Sequence, residues 1–235
     1  MINLKELWAI CFNEAIGEEQ EKYDINPFDW RAGGRATKQY PNKEDGDWWN
    51  ENGYKMLEDF VSVWENLGWK VWHTPEGIPG LELGINVYYG DTLVKAFIDM
   101  VAITPDDEIV VVDFKTGKNM PGNMQLGLYA SSIEKQFGIR PTHGYYYDAR
   151  KAMMTVTEDL DRWTPELFTE LFRQFEIAVS NEIFLPNVGM GCVSCSVADY
   201  CYANGGTKAS TDPLFQIAKG KGRSAKKSTS KKKTD

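Results

Sequence analysis

Two strand-like stretches, Thr92–Ile103 (TLVKAFIDMVAI) and Glu108–Thr116 (EIVVVDFKT), meet at the Thr-Pro-Asp-Asp-Glu segment of residues 104–108. The stretches are rich in β-branched and apolar residues, and Pro and Asp favour a tight turn, so the pair reads as an antiparallel hairpin. This feature constrains the chain most, because the elements around it must complete a sheet and cover it. Charges interrupt the hairpin at three places. Asp99 lies in its first strand, and Asp113 and Lys115 end its second. Asp113 and Lys115 share one face by strand periodicity. If the register sets Asp99 opposite Asp113, all three side chains share that face; a slip of one residue separates the two acids unless a bulge intervenes.

The flanking segments alternate between helical and strand patterns. Residues 1–22 read as a helix, and residues 26–47, rich in Gly, Pro, Asn and charge, as a loop. Met56, Phe60, Val63, Trp64 and Leu67 recur at helical spacing, and Gly68 stops that helix. Trp48, Trp49 and Trp64 read as core residues, although aromatics also serve as base-stacking surfaces. Further strands are expected at 69–74 and 80–89, then a helix at 124–137, strands in HGYYYDAR and AMMTVTED, and a last helix at 164–181. This order indicates an α/β (α+β) domain with a mixed central β-sheet flanked by helices.

Two acids and a lysine inside an apolar sheet are costly unless something neutralises them. One reading is an ordinary Asp–Lys ion pair at a strand end. The other is a divalent cation: Mg²⁺ prefers carboxylate and water oxygens, makes bound water a better nucleophile and steadies charge on a phosphodiester.

Three segments occur in order: A-F-I-D ending at Asp99, V-D-F-K-T-G at 112–117 and Q-L-G-L-Y at 125–129. The series resembles the PD-(D/E)xK nuclease superfamily, specifically its RecB-like branch, which includes AddB-type nuclease domains and CRISPR-associated iron–sulfur exonucleases. The resemblance implies a restriction-endonuclease-like core. It implies Asp99, Asp113 and the backbone carbonyl of Phe114 as ligands of Mg²⁺ or Mn²⁺, and Lys115 as the catalytic lysine. Gln125 and Tyr129, one helical turn apart, would face the scissile strand. Glu82, in the preceding strand, matches a position often filled by Glu. Ala96 stands where the family usually has Gly. The branch's histidine on the first core helix is absent: His73 and His143 lie elsewhere and read as structural. Asn50 or Glu51 is the candidate oxygen ligand in its place.

The four cysteines form a pattern of one plus three. Cys192, Cys195 and Cys201 cluster near the C-terminal end, and Cys11 lies far upstream. In a cytosolic chain such clustering indicates metal ligation rather than disulfides. Spacing alone allows zinc or an iron–sulfur centre, and leaves Cys11 open as a buried thiol. The iron–sulfur members of the RecB-like branch carry the same layout, and the resemblance implies a 4Fe–4S cluster stapling the two ends of the domain.

The net charge of −8 conceals an asymmetry. The tail from Gln216 carries eight Lys/Arg against one Asp, +7, which leaves −15 on the remainder. Residues 1–215 thus read as the nuclease domain, with its cysteine segment at 186–203, and 216–235 as a basic disordered tail that either solubilises or binds phosphates. The acidic body excludes a broad basic docking face and confines DNA to a groove, with Arg31, Arg35 and Lys38 as phosphate contacts or solvated loop charges. No phosphate-binding G-x-x-x-x-G-K-[ST] loop is present, so the chain reads as a free-standing nuclease or as one that borrows strand separation from a partner helicase. No stretch is apolar enough to span a membrane, and no secretory signal is visible, which points to the cytoplasm, the host's if the chain is phage-encoded.

These readings converge on a Mg²⁺/Mn²⁺-dependent DNA exonuclease acting on single-stranded ends in phage DNA recombination or processing, alongside a recombinase or annealing protein. The alternatives are a catalytically silent DNA-binding module of the same fold and a zinc-stapled interaction protein.

Overall fold

The structure is a computed structural model that describes residues 3–24, 37–39, 41, 43–117, 120–183, 185–189, 191, 192, 195, 197–201 and 203. Two compact units are distinguished, residues 1–175 and 176–235. The first contains helices α1 (Leu4–Tyr23) and α2 (Gly46–Leu67), strands β1 (Lys70–Val71), β2 (Leu81–Tyr89), β3 (Thr92–Ile103) and β4 (Ile109–Lys115), and helix α3 (Met124–Phe137). Strands β5 (His143–Asp148), β6 (Met153–Met154) and β7 (Glu158–Asp159) follow, and helix α4 (Pro165–Ser180) runs past the boundary.

The seven strands form one mixed sheet in the order β1-β3-β4-β5-β6, with β2 also on β3 and β7 also on β5. The β3–β4 hairpin adopts the expected register: Val101 faces Val111 and Met100 faces Val112. The pairing ends there, one residue short of Asp99 and Asp113. Strands β4 and β5 run parallel, so their connection crosses over through α3.

Each face of the sheet has its own cover. Val101, Val111, Tyr146 and the inward residues of β2 pack with Leu126, Ala130 and Ile133 of α3 and Phe168 of α4. On the opposite face Met100, Ala102, Val110, Val112 and Tyr147 pack against Met56, Phe60, Val63 and Trp64 of α2. Trp64 is therefore part of the core, as its helical spacing indicates. Helix α1 docks on α2 through Trp8, whose ring occupies the space a side chain at Gly53 would need: a Cβ there would lie 2.3 Å from it.

Strand β3 has one irregularity. Val94, Ala96 and Ile98 pack toward α3 and α4, and so do Val101 and Ile103, while Met100 and Ala102 face α2. The two-residue alternation therefore slips once between Ile98 and Val101, at Asp99. Two expected strands are shorter than their patterns. Residues 69–74 contribute only β1, followed by an isolated bridge from His73 to Pro79. AMMTVTED supplies only β6 and β7, because the Thr155 hydroxyl takes the Tyr146 N–H at 3.0 Å and so interrupts a regular ladder. Among the described residues no helix is long and apolar enough to cross a membrane.

Candidate active site

The charged end of β4 is built by three elements. Strand periodicity turns Asp113 and Lys115 toward α3, and helical periodicity turns Gln125 and Tyr129 back toward β4. Gln125 joins them all: its Nε2 donates to Asp113 Oδ1 at 2.8 Å and to the Tyr129 hydroxyl at 2.8 Å. Its Oε1 accepts from Lys115 Nζ at 3.0 Å. Asp113 is only 2% exposed. Lys115 Nζ pairs with Asp113 Oδ2 at 2.6 Å, and that inaccessible oxygen has no other partner among the described residues.

Asp99 is tied into the same centre from β3, where its Oδ2 accepts the backbone N–H of Phe114 at 2.8 Å. That bond takes a donor the β3–β4 ladder would otherwise use and coincides with the slip in β3. Burial pushes the Asp113 carboxyl above the usual carboxylate range. The Lys115 ammonium pulls it back, and the charge of Asp99 pushes it up again. Burial also raises the Tyr129 phenol, offset by its Gln125 bond and reinforced by Asp113 and Asp99.

Glu82 lies level with Asp99 in the neighbouring strand, between the pairs Leu81–Met100 and Leu83–Ile98. Its backbone is left-handed, φ 46°, and its side chain is exposed. A non-glycine residue pays for that conformation. Among the described residues no group of three or more His, Cys, Asp or Glu side chains gathers with metal-holding geometry.

The remaining candidates fall elsewhere. Asn50 is engaged with α1: its carbonyl and its Oδ1 accept the Trp8 indole N–H at 3.0 and 3.2 Å. Glu51 and Lys38 are exposed, and Arg31 and Arg35 lie outside the described residues. His143 pairs with Glu108 at the opposite end of β4 from Asp113, and exposed His73 contacts the Val71 carbonyl at 3.2 Å. Cys11 belongs to the first unit, and Cys192, Cys195 and Cys201 to the second. Around Cys192 the chain turns back on itself, the Gly189 N–H reaching Sγ at 3.4 Å.

Three residues at this end of the sheet carry no motif. Tyr146, level with Asp113, sits with its ring 5.6 Å from Lys115 Nζ, and burial followed by the charge of Asp113 pushes its phenol up to about 12. Asp148 ends β5 level with Lys115, and Arg150 follows it. The only sequence signal for them was the expected strand HGYYYDAR beside β4. Trp48 and Trp49, expected in the core, instead lie beside Arg150, whose guanidinium is 5.1 and 5.4 Å from their rings.

The pattern described as the PD-(D/E)XK nuclease superfamily matches residues 13–202. The chain belongs to the PD-(D/E)XK nuclease superfamily. A mixed sheet flanked by helices on both faces fits the restriction-endonuclease-like fold, and membership implies nuclease chemistry. Nucleases of this superfamily generally use divalent metals such as Mg²⁺ or Mn²⁺. The "Gene 69 protein" of Mycobacterium phage D29 is 31% identical over 191 residues, spanning 72% of this chain and 69% of that protein. Its namesake in Mycobacterium phage L5 is 30% identical over 158 residues, 57% of this chain and 54% of the L5 protein, so the match covers about half of that relative. The crystal structure of SSO0001 aligns at a TM-score of 0.37 and 14% identity over 66% of this chain and 70% of that one, and carries no weight in the fold assignment.

Proposed function

We propose that this PD-(D/E)XK nuclease is a Mg²⁺- or Mn²⁺-dependent DNA exonuclease of the RecB-like kind, acting on single-stranded ends during phage DNA processing or recombination. One observation carries the reading: Asp113, Lys115, Gln125 and Tyr129 are bonded together at the end of β4, and Asp99 accepts the backbone N–H of Phe114 beside them. The two phage relatives support the setting.

The residues present suit a hard cation. Asp113 Oδ2 is buried and met only by Lys115, and the charge of Asp99 opposes its ionisation, so the centre retains unmet negative charge. Mg²⁺ is commonly held by one or two carboxylates with water and substrate phosphate completing an octahedron, which suits a centre of two acids. Asp99, Asp113 and the Phe114 carbonyl would hold the ion, with Glu82 as a further carboxylate. The strained backbone of Glu82, with no burial to account for it, favours that role. When bound, the ion supplies an acidified water and charge neutralisation at the phosphodiester.

The protein's own groups divide the remaining work. Gln125 fixes Asp113 Oδ1 and Lys115 together, so the ammonium and carboxylate keep one geometry as substrate arrives. Lys115, 24% exposed against 2% for Asp113, is the member that reaches the solvent side. Its ammonium orients the attacking water and steadies charge developing on the phosphate. Tyr129 braces Gln125 from one turn further along α3.

The cysteines are proposed to bind a 4Fe–4S cluster, with Cys11 as fourth ligand to Cys192, Cys195 and Cys201. The all-thiol donor set and its spacing in the sequence support the reading, with zinc as the rival occupant. The lack of a helical histidine motivates the second reading, a silent DNA-binding module.

The test incubates end-labelled single- and double-stranded DNA with the full chain and Mn²⁺ or Mg²⁺. Metal-dependent release of mononucleotides or short products from single strands, lost in Asp113→Ala and Lys115→Ala, is the expected result. Binding without cleavage would establish the silent module, and cleavage unaffected by both substitutions would refute the assigned site.

A further inference from the structure

Arg150 lies just past the end of β5, and every polar atom of its guanidinium is engaged. Nε donates to the Thr116 carbonyl at 2.5 Å. Nη2 meets Glu44 Oε2 at 2.9 Å and Nη1 meets Glu44 Oε1 at 3.4 Å. Its guanidinium lies 5.1 and 5.4 Å from the rings of Trp48 and Trp49 in the first turn of α2, which meet each other edge to face at 4.9 Å. The pair is largely desolvated, with side chains 19% and 13% exposed. Thr116 directly follows Lys115, and the Lys115 carbonyl itself accepts the Ala149 N–H at 3.0 Å. The backbone on the C-terminal side of the lysine is therefore held at two consecutive carbonyls, both from the β5 end.

A buried ion pair is weak as a source of stability, because desolvation consumes much of the Coulombic gain. The value of this one lies in its geometry. Arginine's planar fork holds a carboxylate with one edge and a carbonyl with Nε at the same time, which an ammonium does not. With each guanidinium nitrogen bonded to Thr116 or Glu44, Arg150 is committed to the protein's own backbone and carboxylate. We propose that Arg150, held by Glu44 and the paired tryptophans, is a positioning residue that fixes the Thr116 carbonyl and so aims the Lys115 ammonium at Asp113 and the substrate. The catalytic consequence rests on the nuclease reading; the aim of Lys115 does not.

The experiment compares wild type with Arg150→Gln, Arg150→Lys and Glu44→Gln, all as full chains. The first readout is cleavage of a single-stranded oligonucleotide with Mn²⁺, with kcat and KM separated. The second is the rate at which limiting acetic anhydride acylates Lys115, read by mass spectrometry against exposed Lys55 as control. Arg150→Gln is expected to lower kcat at least tenfold with KM within about twofold, and to raise Lys115 acylation at least threefold with Lys55 unchanged. Arg150→Lys restores pairing with Glu44 and the thermal midpoint, but not the Thr116 contact, so both readouts stay perturbed. A lower thermal midpoint with kcat and Lys115 acylation both unchanged would make Arg150 a plain structural clamp and overturn the proposal. If wild type cleaves no DNA, the nuclease reading fails on its own, and the acylation ratio still decides whether Arg150 aims Lys115. If Arg150→Gln does not fold, Arg150→Lys and Glu44→Gln carry the same two readouts.

Discussion

The amide of Gln125 spans Asp113 and Lys115, donating to the carboxylate at 2.8 Å and accepting from the ammonium at 3.0 Å. It converts an ion pair at a strand end into a fixed constellation. Removing it leaves Asp113 Oδ1 with only the longer 3.5 Å bond from the Tyr129 hydroxyl, and a buried acceptor deprived of its main donor costs about 1–3 kcal/mol. Gln125→Ala is expected to lose stability in that range by urea denaturation, and to cleave DNA more slowly. Gln125→Glu places a third acid against Asp113 and is expected to be worse at neutral pH.

Lys115→Ala is expected to reduce cleavage by about 10²–10⁴-fold, the range for a positioned proton-transfer or charge-stabilising group. Because Lys115 is the group that meets the buried Oδ2 of Asp113, its removal is also expected to lower folding stability at neutral pH. Rates at saturating DNA, paired with melting curves, separate the two effects.

Asp113→Asn is expected to abolish cleavage while raising the metal-free melting temperature. The folded carboxyl titrates above its unfolded value, first because of burial and then because of Asp99, with Lys115 acting in the opposite direction. A carboxyl raised on folding weakens the fold as pH rises from the unfolded value through the folded one. The advantage of the Asn variant therefore develops across that acidic interval, persists at neutral pH and vanishes below it. Melting curves in EDTA across the acidic-to-neutral range check this, and Mg²⁺ or Mn²⁺ is expected to stabilise wild type alone.

At Glu82 backbone strain and the proposed metal role act in opposite directions. With φ at 46°, Glu82→Gly relieves about 1 kcal/mol of left-handed strain. The variant is expected to melt no lower than wild type and to need more metal for half-maximal cleavage. An unchanged metal requirement would remove Glu82 from the site.

Gly127→Ala tests how α3 is seated. An added Cβ would lie 2.2 Å from Trp163 Cγ. Overpacking of this kind costs about 1–3 kcal/mol. The Trp163 indole also donates to Asn123 Oδ1 at 3.1 Å, at the start of α3, so the variant is expected to displace Gln125 and lose cleavage along with stability.

Anaerobic purification addresses the cysteines. Iron and sulfide with a brown absorbance are expected in wild type, and lost in Cys195→Ser or Cys201→Ser. A colourless protein holding zinc would replace the cluster with a zinc site.

The strands and helices around the site follow from local pattern. Period-two and period-3.6 spacing place Asp113 with Lys115 and Gln125 with Tyr129, and the Pro-Asp turn sets the hairpin register up to Met100 and Val112, the residues next to Asp99 and Asp113. These are short-range consequences of side-chain direction, so the amino-acid order is enough to establish them. Packing decided the rest. The slip in β3 at Asp99, the left-handed Glu82, the seat of Trp163 against Gly127 and the Glu44–Arg150 pair have no periodic signature. Glu44 and Arg150 are 106 residues apart, and nothing local makes one require the other. They meet because α2 covers one face of the sheet while β5 lies parallel to β4, which brings the α2 N-terminus to the strand end that carries Lys115.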